Sequence, residues 1–279
     1  MPNRDMSFIE LSARERARRI LDQGSFRELL DPFEKITSPW LEPQGIVPGF
    51  DDGMVVAKGK FNGKPTVIIA IEGVFQGGSM GEVSGAKMAA ALELAAEDNR
   101  SGIATQALLL FETGGVRLQE ANLGLAAIAD IHSAIVDLRR YVPVIGITAG
   151  TVGCFGGMSI AAGLCSYLVV TREARLGLNG PQVIEQEAGI EEYNSRDRPF
   201  IWSMTGGEVR YKNGFADIIV KDSVNDVKTA IIQCMNKGLP DTLRSDDYDY
   251  YLQKLNAIDT SKQADATLVK NIFGRGDRK

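Results

Sequence analysis

Residues 77–81 read Gly-Gly-Ser-Met-Gly, a G-x-S-x-G pattern. In α/β-hydrolases this pattern sets a nucleophilic serine on a sharp strand-to-helix turn, with an acid and then a histidine later in the chain. Ser79, the acids Glu112 and Glu120, and His132 stand in that order, and His132 is the sole histidine. It falls inside "IADIHSAIVDL", a stretch of helical periodicity. A histidine so placed serves the helix better than it serves a nucleophile. The turn therefore reads as a glycine-rich bend, with Ser79 able to hydrogen-bond a substrate but not to attack one.

A second device is repeated. "FETGGVRLQE" places Gly114 and Gly115 after an apolar run and before a helical one, and "GCFGGMSIA" does the same with Gly156 and Gly157. Bare backbone N–H groups near a helix N-terminus bind an anion or a developing oxyanion. Other chemistries fail on spacing. A phosphate-binding G-x-x-x-x-G-K-[ST] loop would need Gly at 86 and Ser or Thr at 88, where the chain has Ala86 and Met88 around Lys87. One histidine and three cysteines without a CxxC make no zinc site, and no metal is expected.

These residues need elements to hold them. An amphipathic helix is predicted over about 7–23, then an extended segment over 31–50. "MVVAKGKFNGKPTVIIAIEGVF" predicts a hairpin turning at Asn62-Gly63. A helix over about 82–99, the strand "TQALLLFET", a helix over about 117–140, the strand "VPVIGITAG" and the small-residue helix "MSIAAGLC" follow. Then come the strand "SYLVVTREARLGL", a short helix after Asn179-Gly180-Pro181, a polar mobile loop over 191–199 and the strand "FADIIVKD". The tail from about 223 to 279 is expected to be helical, with helices near 223–236 and 244–257 and a basic end. Strands alternating with helices predict an α/β architecture with a largely parallel sheet. No linker divides the 279 residues, so one domain over 1–279 is expected.

Composition narrows the class. A net charge of −5 gives no sign of nucleic-acid binding. No apolar stretch is long enough to cross a membrane, and unpaired cysteines suit a reducing compartment, so a cytoplasmic location is expected.

Four segments, "FQGGSMGEVSGAKMAAALELA", "FETGGVRLQEA", "GCFGGMSIAAG" and "LGLNGPQVIEQ", resemble the acyl-thioester half of biotin-type carboxyltransferases. That family includes the acetyl-CoA carboxylase β subunit, from which this chain departs in lacking a four-cysteine zinc ribbon. The likeness runs through residues 15–220 with order preserved. The segment "EEYNSRDRPFIWSMTGGEVRYKNGFAD" is similar to malonate decarboxylase β subunits. The resemblance implies the crotonase (ClpP-like) ββα superhelix. It also implies decarboxylation of a malonyl thioester to an acetyl thioester, with Gly114, Gly115, Gly156 and Gly157 supplying oxyanion-hole amides. Gly78, Ser79, Met80 and Gly180 would line the substrate. No cofactor would bind directly; a CoA-like phosphopantetheine arm on an acyl-carrier protein would deliver the substrate. A second crotonase-fold unit, the γ subunit, and an α transferase subunit would complete the enzyme. Arg14, Arg16, Arg18 and Arg19 could meet the acidic carrier protein or form a solvated helix face. The alternative within this family is transfer of the malonyl carboxyl group to biotin.

Overall fold

The computed structural model describes residues 6–261 and 265–274. Its frame is one seven-stranded sheet in sequential order: β1 (Arg27–Leu29), β2 (Met54–Phe61), β3 (Lys64–Ile71), β4 (Gln106–Phe111), β5 (Val144–Thr148), β6 (Tyr167–Thr171) and β7 (Ile218–Val220). The first three strands pair antiparallel and the rest parallel. Ile69, Leu109, Gly146 and Leu168 lie in one row across the parallel part. The β2–β3 hairpin turns at Asn62 and Gly63, with φ of 50° and 76°. Positive φ at both central residues is what a two-residue turn of matching twist demands.

Each parallel strand feeds a turn and then a helix. The first helix, α1 (Ala13–Ile20), precedes the sheet, α2 (Glu82–Arg100) follows β3, α3 (Asn122–Leu138) follows β4 and α4 (Gly157–Leu164) follows β5. The turns form a second layer of single bridges, Met80 to Val116, Thr113 to Cys154 and Cys154 to Leu176. Repeated along the sheet, this strand–turn–helix unit winds into the expected superhelix. Both sheet faces are covered, which explains the unbroken apolar runs of the central strands. Val67, Ile69, Leu109 and Val144 face a core shared with α2, α3 and α4. Ile68, Leu108, Ile145 and Val169 face a core shared with α1 and with α8 (Val224–Lys237).

Several elements differ from expectation. The helix expected over 7–23 is α1 alone: Ser12 caps it, and the Phe8 and Ile9 amides donate instead to Asp222 Oδ1 at 2.7 and 2.9 Å. The helix expected from 117 starts at Asn122, because a 3-10 turn at Leu118–Glu120 points Arg117 inward. After α5 (Pro181–Ala188), the polar stretch runs into two unanticipated helices, α6 (Arg198–Thr205), capped by Asp197, and α7 (Gly207–Lys212). The short edge strand β1 was also not anticipated. In the tail, α9 (Tyr248–Asn256) and α10 (Ala266–Phe273) follow α8, and the basic end lies outside the described residues.

Candidate active site

The turn after β3 carries the G-x-S-x-G residues. Gly77 and Gly78 have φ of 63° and 66°, and any Cβ on Gly78 would collide with the Glu112 carbonyl. The glycines thus let this turn pass against the end of β4. Ser79 Oγ stands 3.4 Å from Arg117 Nε, and the Ser79 carbonyl accepts from Arg117 Nη2 at 3.0 Å. His132 Nε2 lies 2.8 Å from the Gly157 carbonyl. Serine and histidine therefore have separate partners, and no triad is assembled. Met80, expected to line substrate, is fully buried in the core.

Beneath this turn lies an ion cluster that local sequence does not reveal. Arg117 Nη1 donates to Asp52 Oδ1 at 2.7 Å and to Glu120 Oε1 at 2.8 Å, with all three side chains 0% exposed. The free carboxylate oxygens take the amides that open α2: Glu82 N donates to Glu120 Oε2 at 2.6 Å and Ser84 N to Asp52 Oδ2 at 2.8 Å. Acidic groups at a helix N-terminus satisfy its orphan donors and suit its dipole. Burial pushes the Glu120 carboxyl up. The Glu82 amide, the Ser38 hydroxyl and Arg117 outweigh it and leave the group below the usual carboxylate range.

The two glycine pairs meet. A Cβ built on Gly115 would stand 3.3 Å from Gly156 Cα, and one on Gly156 would stand 3.2 Å from Gly115 Cα. With φ of 109° and 60°, neither position suits a side chain. Three of the four amides already have acceptors: Gly114 N on Gly77 O at 2.9 Å, Gly156 N on Leu178 O at 2.7 Å and Gly115 N on Thr113 Oγ1 at 3.1 Å. The Gly157 amide has none among the described residues, and neither has that of Val116. Gly157 is the first residue of α4 with Gly156 as its N-cap, so its N–H is an orphan donor at the positive end of a helix. The Val116 nitrogen lies 3.7 Å from a Cβ built on Gly156. Both unfilled donors thus flank the Gly115–Gly156 contact. Gly180 caps α5 two residues beyond Leu178 and accepts from Val183 N and Ile184 N at 3.0 and 3.2 Å. Sequence reasoning found the pairs. It missed Val116, since the Gly115 amide is taken by the Thr113 hydroxyl, which sequence does not reveal.

One arginine holds the turn between β5 and α4. Arg175 donates to the Thr151 carbonyl at 2.8 Å and stacks on Phe155 and Trp202. Burial lowers its guanidinium's affinity for a proton. A cleft of about 740 Å³ opens beside Phe75, Glu112, Gly150 and Val152. The arginine group of α1 does not form one basic surface. Arg16 is buried against Glu112 and Arg14 pairs with Glu28 and Asp51, while Arg18 and Arg19 remain exposed. No group of three or more His, Cys, Asp or Glu side chains among the described residues is placed to hold a metal ion.

The carboxyl transferase domain matches residues 10–266. The malonyl-S-ACP:biotin-protein carboxyltransferase MADC of Malonomonas rubra is 42% identical over 242 residues, covering 82% of this chain and 76% of that protein. A chain of a Pseudomonas malonate decarboxylase hetero-tetramer, solved in complex with malonate, is 66% identical, with 97% of this chain and 98% of that chain covered and a TM-score of 0.94. A chain of the Pseudomonas malonate decarboxylase MdcD-MdcE hetero-dimer is 60% identical over 90% of this chain and 96% of that chain, with a TM-score of 0.77.

Proposed function

The chain belongs to the carboxyl transferase family and has its crotonase-type fold, and on that footing we propose that it is a malonate decarboxylase subunit that removes CO2 from a malonyl thioester. The observation that carries the chemistry is the unfilled Gly157 amide at the head of α4, next in the chain to the Gly156 that packs on Gly115.

In the reaction the bond between the carboxylate and the adjacent carbon breaks. Its electron pair forms the carbon–carbon double bond of an enolate, and the thioester carbonyl pair moves onto oxygen. The Gly157 and Val116 N–H groups receive that oxyanion. Pre-aimed donors at the point of developing charge are commonly the largest contribution to such a step, about 2.7–4 kcal/mol for one donor. The enolate carbon then takes a proton, giving the acetyl thioester. The Gly77–Gly81 turn and the Gly180 segment form the walls of the site. His132 holds the Gly157 carbonyl and, with it, the first turn of α4.

The similar solved chains come from a hetero-tetramer and a hetero-dimer. We assign this chain a partner of the same fold, the γ subunit, with an α transferase subunit and an acyl-carrier protein whose phosphopantetheine arm brings the malonyl group. No helix among the described residues is long and apolar enough to cross a membrane. The test is a malonyl-carrier decarboxylation assay on this chain with and without its γ partner. Release of CO2 only from the pair supports the assignment, and no release from the pair rejects it.

The name of the Malonomonas relative favours one second reading, passage of the carboxyl group to biotin. Avidin separates the two: it would arrest biotin transfer and leave direct decarboxylation untouched.

A further inference from the structure

We propose that Glu112 is a positioning residue for this reaction, holding the turn that presents the Gly157 amide and itself held by the N-terminal segment through Arg16. The inference rests on the oxyanion role given to Gly157.

Glu112 follows directly on β4 and is 5% exposed. Its two oxygens do different things. Oε1 accepts from the Gly153 amide at 3.1 Å, and Oε2 accepts from Arg16 Nη1 at 2.9 Å. Gly153 sits at φ 83°, four residues before Gly157 in the turn that runs from β5 to α4. The next residue of that turn, Cys154, is a bridge partner of Thr113. Glu112 thus fixes an amide in the middle of the turn, and the chain from there reaches α4 through Cys154, Phe155 and Gly156.

The carboxylate cannot move freely. A Cβ on Gly150 would collide with Oε2, and one on Gly73 would stand 2.6 Å from Glu112 Cγ. Glycine at both positions leaves room for this one side chain. Arg16 is fixed in turn: Nε donates to the Phe8 carbonyl at 2.9 Å, Nη2 to the Ile9 carbonyl at 2.7 Å, and its guanidinium lies over the Phe8 ring. The Phe8 and Ile9 amides are tied to Asp222, just past the edge strand β7. Asp222, the 8–9 segment, Arg16, Glu112 and Gly153 therefore form one connected path. A buried ion pair alone would be a poor reason to keep these residues, since an apolar pair of the same volume is often as stable. The oxygen spent on Gly153 N–H is what an apolar pair could not supply.

The test uses the assembled enzyme and three variants. Glu112→Ala removes the acceptor. Gly150→Ala displaces the carboxylate while removing no functional group, and its backbone has no positive φ to strain. Glu112→Gln keeps an oxygen for Gly153 but loses the charge facing Arg16. Small misplacements of reacting groups cost up to about 100-fold. The expected result is a kcat loss of about 10- to 100-fold in Glu112→Ala and Gly150→Ala with KM little changed. Glu112→Gln should recover most of that loss although its denaturation midpoint falls as far as that of Glu112→Ala. Should Glu112→Ala fail to fold, Gly150→Ala carries the same prediction. Unchanged kcat in a folded Glu112→Ala or Gly150→Ala enzyme, or kcat that follows the denaturation midpoint across all three, would overturn the proposal. A Gly157→Pro enzyme of full activity would instead remove the oxyanion reading. An impaired Gly157→Pro beside an unimpaired Glu112→Ala would remove this inference alone.

Discussion

Arg117 and Glu120 meet at 2.8 Å with neither side chain exposed, and between them they decide where α2 begins. Removing one member of such a pair strands a buried charge and typically costs about 3–5 kcal/mol. Arg117→Met should lower the stability of the chain by about that much, read from urea denaturation. A loss below about 1 kcal/mol would mean that the cluster is no more than a surface pair in its effect.

Ser79 bonds Arg117, and the histidine a hydrolase would need is bound to Gly157 instead. A fluorophosphonate probe should therefore leave Ser79 unlabelled in the native protein, and Ser79→Ala should keep most of the decarboxylase activity. Stoichiometric labelling at Ser79 would return the chain to the serine hydrolases.

The three thiols are all buried. Burial pushes Cys165 and Cys234 each up to about 12 from an ordinary value of 9. The native state therefore keeps protons between those values that the unfolded chain releases. Their contribution to stability is fully present below about pH 9 and is lost as the pH rises through about 12. Cys165→Ala should flatten the decline between pH 8 and 10.5 by about 2 kcal/mol relative to wild type. A matching decline in both proteins would show that Cys165 titrates normally. Lys87, lowered by burial, acts in the opposite sense, which is why the difference between the two proteins is the quantity to read.

Much of this architecture could be read in advance, for physical reasons. Central strands covered on both faces must be apolar throughout, so "TVIIAI" and "ALLLF" declare themselves, and Asn62-Gly63 declares its turn. The glycine pairs were visible because close backbone approach excludes every other residue. The arginines were not. Arg16 and Arg117 look like surface residues, yet their carboxylate partners Glu112 and Asp52 lie 96 and 65 positions away. No local periodicity reports such a meeting. The amides could not be sorted either: Gly156 is taken by the Leu178 carbonyl, a contact that exists only once the turns are stacked, and Gly115 by the Thr113 hydroxyl two residues back, which depends on that side chain's rotamer. The helices α6 and α7 follow a polar stretch and, at eight and six residues, are too short for a helical period to stand out.

The central claim is that the Gly157 N–H carries the oxyanion, and one substitution can delete that donor. Gly157 is the first residue of α4, a position where proline is well tolerated because its missing N–H has no helical partner. Gly156 before it, at φ 60° and ψ −147°, lies in the mirror image of the extended region that residues preceding proline prefer. Gly157→Ala is the control, since it places the same Cβ 2.8 Å from Ile128 Cγ2 but keeps the N–H. The measurement is kcat for malonyl-thioester decarboxylation by the assembled enzyme, alongside the denaturation midpoint of each variant. The account predicts that Gly157→Pro stays folded and loses about 10²–10³-fold in kcat, well beyond the loss in Gly157→Ala. A folded Gly157→Pro enzyme that turns over as fast as Gly157→Ala would contradict it.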